Sequence, residues 1–260
     1  MNGADAPARS DVLRPPRILF LVLPALLAPV AVFGAFVVAA LSPPAGRVAL
    51  PVFATLALYP IFARCVGEGR RAAAITAALL WAASLSASLI THVARDPGAA
   101  GAGVLMGPPY RDEMFAFLAS GSGRESDPAR FVPQHLLHAG IFAVATFVSG
   151  GLLGLAMGAV LVGYMSYYVG ALASGPHPIT AGLLGWPPWA IVRVIAFVML
   201  GAVLARPLLV RLRGRPERLL AEPADRRLLG VALALLLFDI VLKATFAPAW
   251  SEILRPCLPP

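Results

Sequence analysis

Apolar residues fall into long uninterrupted runs along this chain, separated by short polar segments. Five runs have clear polar or turn-forming boundaries: residues 18–41, 48–65, 72–92, 187–205 and 228–248. An α-helix needs about 20 predominantly apolar residues to cross a bilayer core of about 30 Å. The pattern therefore predicts an all-α, polytopic transmembrane helix bundle.

The run from residue 134 to residue 173 is too long for one simple crossing. Its 40 residues contain no Asp, Glu, Lys or Arg. As one straight helix it would extend about 60 Å, roughly twice the thickness of the bilayer core. Ser149, Gly150 and Gly151 lie near its middle and offer a turn. The run is either one very long helix or a helical hairpin.

The arginine distribution favours the hairpin. If the run crosses twice and the N-terminus is inside, segments 1–17, 64–71 and 206–227 are all cytoplasmic and hold 13 arginines, against 6 in the outer segments. This asymmetry agrees with the positive-inside rule. We therefore predict seven spans, within a range of six to eight, with a cytoplasmic N-terminus and an extracytoplasmic C-terminus.

This topology divides the chain into an arm, a membrane domain and a tail. The first run has 24 apolar residues, more than the 7–15 of a cleavable signal peptide, so it is predicted to remain as a span. The predicted parts are a cytoplasmic arm at 1–17, a transmembrane domain at 18–248 with an extracytoplasmic loop at 93–133 and a basic cytoplasmic loop at 206–227, and an extracytoplasmic tail at 249–260. Within the extracytoplasmic loop, the sequence leaves open a surface helix around residues 113–119 or a re-entrant loop at 98–120.

Composition supports a membrane protein and argues against a nucleic-acid-binding one. Hydrophobic residues make up 59% of the chain and charged residues only 13%, about half the usual share in soluble domains. The net charge of +8 comes from arginines at the ends of apolar runs, where they set orientation. We predict membrane lipid as a partner and the cell membrane, specifically a bacterial inner membrane, as the location. Cys65 and Cys257 show no metal-binding spacing and are predicted to face opposite sides.

Three charged residues lie within predicted spans. Asp239 and Lys243 are four residues apart on one helical face, and Arg193 lies in the outer part of the sixth span. Charges within a membrane span are costly and usually face a protein interior or a water-filled cavity. We predict that the three line a substrate-binding site for an anionic solute or headgroup. Other interpretations stay open for these residues. One is that Asp239 and Lys243 only neutralise each other's charge; the others are that Arg193 pairs with Asp239, or that its side chain reaches the membrane interface.

A second group is a candidate metal site. His135 and His138 share one helical face at the start of the fourth span, and Glu113 lies in the preceding loop. Two histidines and a carboxylate form one of the ligand sets of catalytic zinc. The alternatives are that the histidines bond loop carbonyls at the membrane interface, or that they carry protons.

Two further patterns concern packing. Gly150, Gly154 and Gly158 recur every four residues, a spacing that lets membrane helices approach closely. They predict packing within the bundle, or a contact with a membrane-protein partner or a second copy. The neighbouring tyrosines predict a belt at the headgroup level; they are Tyr164, Tyr167 and Tyr168.

Three functions remain open from the sequence. Walker A, HExxH and GxSxG motifs are missing, which argues against ATP-driven chemistry and the common hydrolase types. The leading hypothesis is a membrane protein that handles a small anionic solute or lipid at a polar site in the outer half of the membrane. The alternatives are a non-catalytic subunit or assembly factor of a larger membrane complex, and an intramembrane metal-dependent hydrolase with zinc as cofactor.

Overall fold

The computed structural model describes residues 18–215 and 220–260. The predicted arm at 1–17 lies outside the described residues, as do Glu217 and Arg218 of the predicted basic loop. The described part of the chain is all helical, without a strand. Its α-helices are α1 (Ile18–Leu41), α2 (Pro43–Gly67), α3 (Arg71–Arg95), α4 (Pro97–Ala100), α5 (Gly107–Ser120), α6 (Pro128–Ser149), α7 (Leu152–Ala173), α8 (Pro178–Leu184), α9 (Pro188–Leu204), α10 (Arg206–Arg211) and α11 (Pro223–Leu254).

Seven segments within the described residues are long and apolar enough to cross a membrane. Five of them are the single helices α1, α2, α3, α6 and α7; the sixth joins α8 to α10, and the seventh is α11 with the turn after it. This confirms the predicted polytopic helix bundle with seven spans. The chain is a multi-pass membrane protein.

The long run 134–173 forms a helical hairpin. α6 ends at Ser149 and α7 begins at Leu152, and the two helices pack against each other. Gly150 and Gly151 between them have φ angles of 59° and 94°. Glycine adopts this left-handed region without the steric penalty that other residues meet, so the chain reverses within two residues.

The turns of the bundle separate into two ends. At one end, the guanidinium groups of Arg64 and Arg70 lie 5.4 and 6.0 Å from the ring centroid of Phe20 at the start of α1. The turn between α6 and α7 is also at this end, because Leu209 of α10 packs against Gly150. We call it the basic end; it comprises the start of α1, the 64–71 turn, the 150–151 turn and residues 205–215 and 220–227. The opposite end, with residues 95–127, 174–187 and 255–260, is the loop end. Which end faces the cytoplasm stays a prediction.

Helix boundaries extend beyond the apolar runs. The last span was predicted at 228–248, but α11 begins at Pro223 and ends at Leu254. Residues 249–254, predicted to belong to the tail, are helical, and Trp250 and Leu254 are buried. The tail itself is held at the loop end, where Arg255 Nε donates to the Leu118 carbonyl at 3.1 Å.

A helix covers the loop end of the bundle. The sequence predicted 93–133 as an extracytoplasmic loop and left open a surface helix around residues 113–119. In the structure α5 occupies Gly107–Ser120 and buries Met114, Phe117 and Leu118. α5 packs against α7 and contacts α11.

α7 and α9 are the helices with the most helix neighbours in the interior of the bundle. α7 packs against α2, α3, α5 and α6, whereas α9 packs against α3, α6 and α11. α11 is peripheral, since α9 is its main neighbour. Large apolar side chains on its outer surface are therefore exposed to the surroundings, as expected for a lipid-facing helix; they include Leu233, Leu237, Phe238, Val241 and Phe246.

The three glycines at four-residue spacing do not form one packing face. Gly150 is part of the turn, and a Cβ atom at Gly158 would meet no atom within 4 Å. Gly154 makes the close approach between α6 and α7, because a Cβ there would lie 2.0 Å from Thr146 Oγ1 of α6. The predicted oligomer through these glycines remains a prediction.

Substituting Gly154 with alanine is expected to lower the free energy of unfolding by about 1–3 kcal/mol, because the added methyl group overpacks the contact between α6 and α7. Gly158→Ala is the matched control, and it should be neutral or slightly stabilising because alanine favours the helix. Thermal unfolding of both variants in mild detergent measures the difference. Equal effects at the two positions would show that α6 and α7 do not pack at Gly154.

Candidate functional site

A buried ion pair joins α9 to α11 in the interior of the bundle. Arg193 Nε and Nη2 donate to Asp239 Oδ2 and Oδ1, at 2.8 and 2.9 Å. The Asp239 side chain is 2% exposed and that of Arg193 is 22% exposed. A bidentate pair of this kind fixes the plane of the guanidinium group relative to the carboxylate. Arg193 is therefore held in one orientation by the middle of α11.

A second ion pair connects α11 to the polypeptide at the loop end. Lys243 Nζ donates to Glu125 Oε2 at 2.7 Å, and the lysine side chain is only 2% exposed. Nζ also lies 4.6 Å from the ring centroid of Phe131 in α6, a cation–π contact. Within the described residues, Lys243 forms its ion pair with this distant glutamate rather than with Asp239 on its own helix.

Glu125 reaches the interior from the segment 121–127 that connects α5 to α6. Gly121 and Gly123 in this segment have φ angles of 70° and 144°, and Asp127 at its end caps α6 by accepting from the Ala129 N–H at 3.0 Å. The Glu125 side chain is 12% exposed although it comes from a surface connection. The segment therefore inserts one carboxylate into the bundle.

Aromatic and imidazole groups surround the two ion pairs. The charges of Arg193 and Lys243 both act on His135, whose ring lies 5.4 Å from that of Phe131. Neither ring nitrogen of His135 makes a well-formed hydrogen bond within the described residues, although the Phe131 carbonyl is near enough to contribute. The site thus contains an imidazole with spare hydrogen-bonding capacity.

Tyrosines line the side of the site nearest α7. Tyr110 of α5 lies 4.5 Å from Tyr164, centroid to centroid, and its hydroxyl donates to Met165 Sδ at 2.9 Å. Burial raises the pKa of Tyr110 well above its usual value, so its hydroxyl stays a donor at physiological pH. The Tyr168 hydroxyl is buried without a hydrogen-bond partner in the described part of the chain.

The tyrosine-belt prediction is wrong for two of the three tyrosines. Tyr167 and Tyr168 are 1% and 0% exposed and belong to the packed interior. The Tyr167 hydroxyl donates to the Pro97 carbonyl at 2.7 Å and accepts from Arg111 at 3.4 Å. The sequence could not distinguish the two cases, because a tyrosine that packs beneath α5 has the same position near the end of an apolar run as one at a lipid headgroup.

The predicted metal ligands are not assembled into a coordination group. In residues 18–215 and 220–260, no cluster of three His, Cys, Asp or Glu side chains is arranged to hold a metal ion. Glu113 lies 3.9 Å from Arg124 in an ion pair at the loop end, while His135 faces the charges of Arg193 and Lys243. The structure therefore gives the zinc hypothesis no common coordination site for Glu113, His135 and His138. The hypothesis stays a prediction, and elemental analysis of the purified protein tests it.

Of the predicted binding residues, the structure brings Arg193, Asp239 and Lys243 into one region. Arg193 pairs with Asp239, which was one of the alternatives open from the sequence. Glu125 was missed by the sequence reasoning. Its only signal is a carboxylate in a glycine-containing segment just before α6, and many exposed loops have that composition.

A separate charge network lies at the basic end. Arg206 and Asp225 are both buried, and Arg206 Nη1 donates to Asp225 Oδ2 at 2.9 Å. Arg71 at the start of α3 donates to Glu222 at 2.6 Å and also pairs with Asp225, and Arg206 pairs with Glu222. The segment 206–227, predicted as an aqueous loop, therefore contains a buried network that joins α3, α10 and α11.

No protein-family model matches this sequence, and no match was found among curated proteins or solved structures.

Proposed function

We propose that this multi-pass membrane protein binds the anionic group of a small solute or lipid at Arg193 and Lys243. The observation that carries the proposal is the origin of the counterion of Lys243. A buried lysine is costly unless it is paired, and here the pairing carboxylate comes from a connecting segment rather than from a neighbouring span. Glu125 therefore occupies the position that a carboxylate or phosphate ligand would take.

Arg193 supplies the second binding group. An arginine side chain carries five N–H donors in a planar fork. The pairing with Asp239 uses Nε and Nη2, and Nη1 makes no hydrogen bond within the described residues. Asp239 thus holds the guanidinium group in place while Nη1 remains free to contact a ligand. His135 and Tyr164, both influenced by the charge of Arg193, complete the surroundings.

Binding would replace one carboxylate by another anion. The described site has two cations and two anions, so it is neutral when empty of ligand. An incoming carboxylate or phosphate that displaces Glu125 keeps Lys243 paired and moves the charge of Glu125 out to solvent at the loop end. The ligand and Glu125 therefore compete for Lys243.

Replacing Glu125 with glutamine tests this competition. The variant should bind a small anion about tenfold more tightly, which corresponds to about 1.4 kcal/mol, because the internal competitor loses its charge. Isothermal titration of purified protein in a neutral detergent with acetate and inorganic phosphate measures the affinity. Lys243→Gln should abolish binding, and Glu252→Gln, which alters an exposed ion pair with Arg255 at the same end, is the matched control.

Two results would contradict the proposal. If neither acetate nor phosphate binds to the wild-type protein or to Glu125→Gln, the ion pairs have a purely structural role. Equal affinities in the wild-type protein and Glu125→Gln would show that Glu125 does not compete for the site.

A further inference from the structure

An apolar layer lies directly beneath the polar site. Each of three helices that surround the site places an apolar side chain about one turn, or about 5–6 Å, closer to the basic end than its polar residue. On α6 Phe142 follows His138, on α9 Phe197 follows Arg193, and on α7 Leu161 precedes Tyr164. The rings of Phe142 and Phe197 stack with centroids 4.7 Å apart.

A cavity opens at this apolar layer. It has a volume of about 50 Å³, and Phe142, Phe197 and Leu161 all line it. Its remaining wall is apolar except for Thr146, and small residues leave the space: Gly151, Gly154, Gly158 and Gly201. Of these four, Gly158 and Gly201 leave open space beside the helix, since a Cβ at Gly158 would meet no atom within 4 Å and one at Gly201 would meet none closer than 3.5 Å.

The cavity adjoins a groove on the surface of the bundle. Ala82, Val162 and Val194 line both spaces, so the cavity and the groove share part of a wall. The groove has a volume of about 510 Å³ between α3 and α9, and Ile90, Leu183 and Ile191 are among its apolar walls. This volume falls in the range of small-molecule sites, about 300–1,000 Å³.

From this arrangement we infer that the ligand is an amphiphile with an anionic head and a linear hydrocarbon tail. The inference rests on the proposed function, because the head group is the anion that Arg193 and Lys243 bind. The part of the tail nearest the head group lies beside the Phe142–Phe197 pair in the cavity, whose volume of about 50 Å³ holds only a short stretch of chain, and the rest lies in the groove between α3 and α9. Two cations that an anion reaches by displacing Glu125, next to an apolar space, match the two parts of such a molecule, whereas a compact hydrophilic anion would leave the apolar space unused.

Tail binding is tested by filling the cavity. Gly158→Val places a side chain in the cavity, where a Cβ meets no atom within 4 Å. Gly140→Val is the matched control, because a Cβ there also meets no atom within 4 Å but lies on the exposed side of α6. Gly201→Ala is a second filling variant, in case the valine disturbs folding, since its Cβ makes only ordinary contacts from 3.5 Å. Affinity is measured for acetate, palmitate and dodecyl phosphate in neutral detergent; the last two distinguish a carboxylate from a phosphate head.

We expect palmitate or dodecyl phosphate to bind at least tenfold more tightly than acetate, and Gly158→Val and Gly201→Ala to remove most of that advantage while Gly140→Val keeps it. If acetate and palmitate bind equally and Lys243→Gln abolishes both, the anion site stands and the amphiphile inference is overturned. If long-chain binding survives Lys243→Gln, the head group is bound elsewhere, and both the proposed function and this inference fail.

Discussion

Replacing Asp239 with leucine is expected to lower the free energy of unfolding by about 3–5 kcal/mol, the effect of removing one partner of a buried ion pair. The substitution removes the bidentate carboxylate partner of Arg193, whose side chain is only 22% exposed and is held between α9 and α11. Reversible unfolding in mixed detergent micelles measures the loss.

The double variant Arg193→Met with Asp239→Leu should recover most of the lost stability, because two apolar side chains of similar volume replace the ion pair. It should nevertheless fail to bind anions. Asp112→Ala, which removes an exposed ion pair with Arg111, serves as the control and should change stability by less than about 1 kcal/mol. A single Asp239→Leu variant as stable as the control would mean that Arg193 finds solvent, and the deep, closed position of the pair would be refuted.

The second large effect is expected at the basic end. Asp225→Leu should lower the free energy of unfolding by about 3–5 kcal/mol, because Asp225 pairs with both Arg71 and Arg206. Its loss removes the buried carboxylate that the two arginines share, while the more exposed Glu222 still pairs with each of them. The same unfolding measurement applies, and the effect should persist at high salt because buried pairs are screened only weakly.

Glu222→Gln is the matched comparison within this network. The Glu222 side chain is 40% exposed, against 6% for Asp225, so its loss should matter much less and should diminish with added salt. If the two substitutions destabilise the protein equally, burial is not what gives the network its strength, and the basic end is held together by surface charge alone.

The spans were predictable because the bilayer imposes a simple length rule on apolar residues. Even the hairpin in 134–173 followed from counting arginines, and the Gly150–Gly151 turn confirms it. Helix ends were not predictable in this way. α11 continues to Leu254 because Trp250 packs on Trp189 and donates to the Leu184 carbonyl, and these contacts depend on tertiary structure.

The candidate site was partly predictable for the same reason. A charge within an apolar run is conspicuous, so Arg193, Asp239 and Lys243 could be selected from the sequence. Glu125 could not, because a carboxylate in a polar segment is ordinary until the fold carries it inward. Asp225 was missed for the related reason that a segment rich in both charge signs is usually exposed.

The uncharged turn between α6 and α7 has a consequence for how the chain enters the membrane during synthesis. Gly150 and Gly151 carry no orientation signal, so this hairpin takes its direction from the arginines that precede it at 64–71 and follow it at 206–227. Phe62 of α2, which covers one side of the turn, is synthesised earlier, whereas Ala205, Leu208 and Leu209 on the other side are synthesised later. In a nascent chain that stops after α7, we therefore expect the hairpin to lack the second group of orienting arginines and part of the cover of its turn.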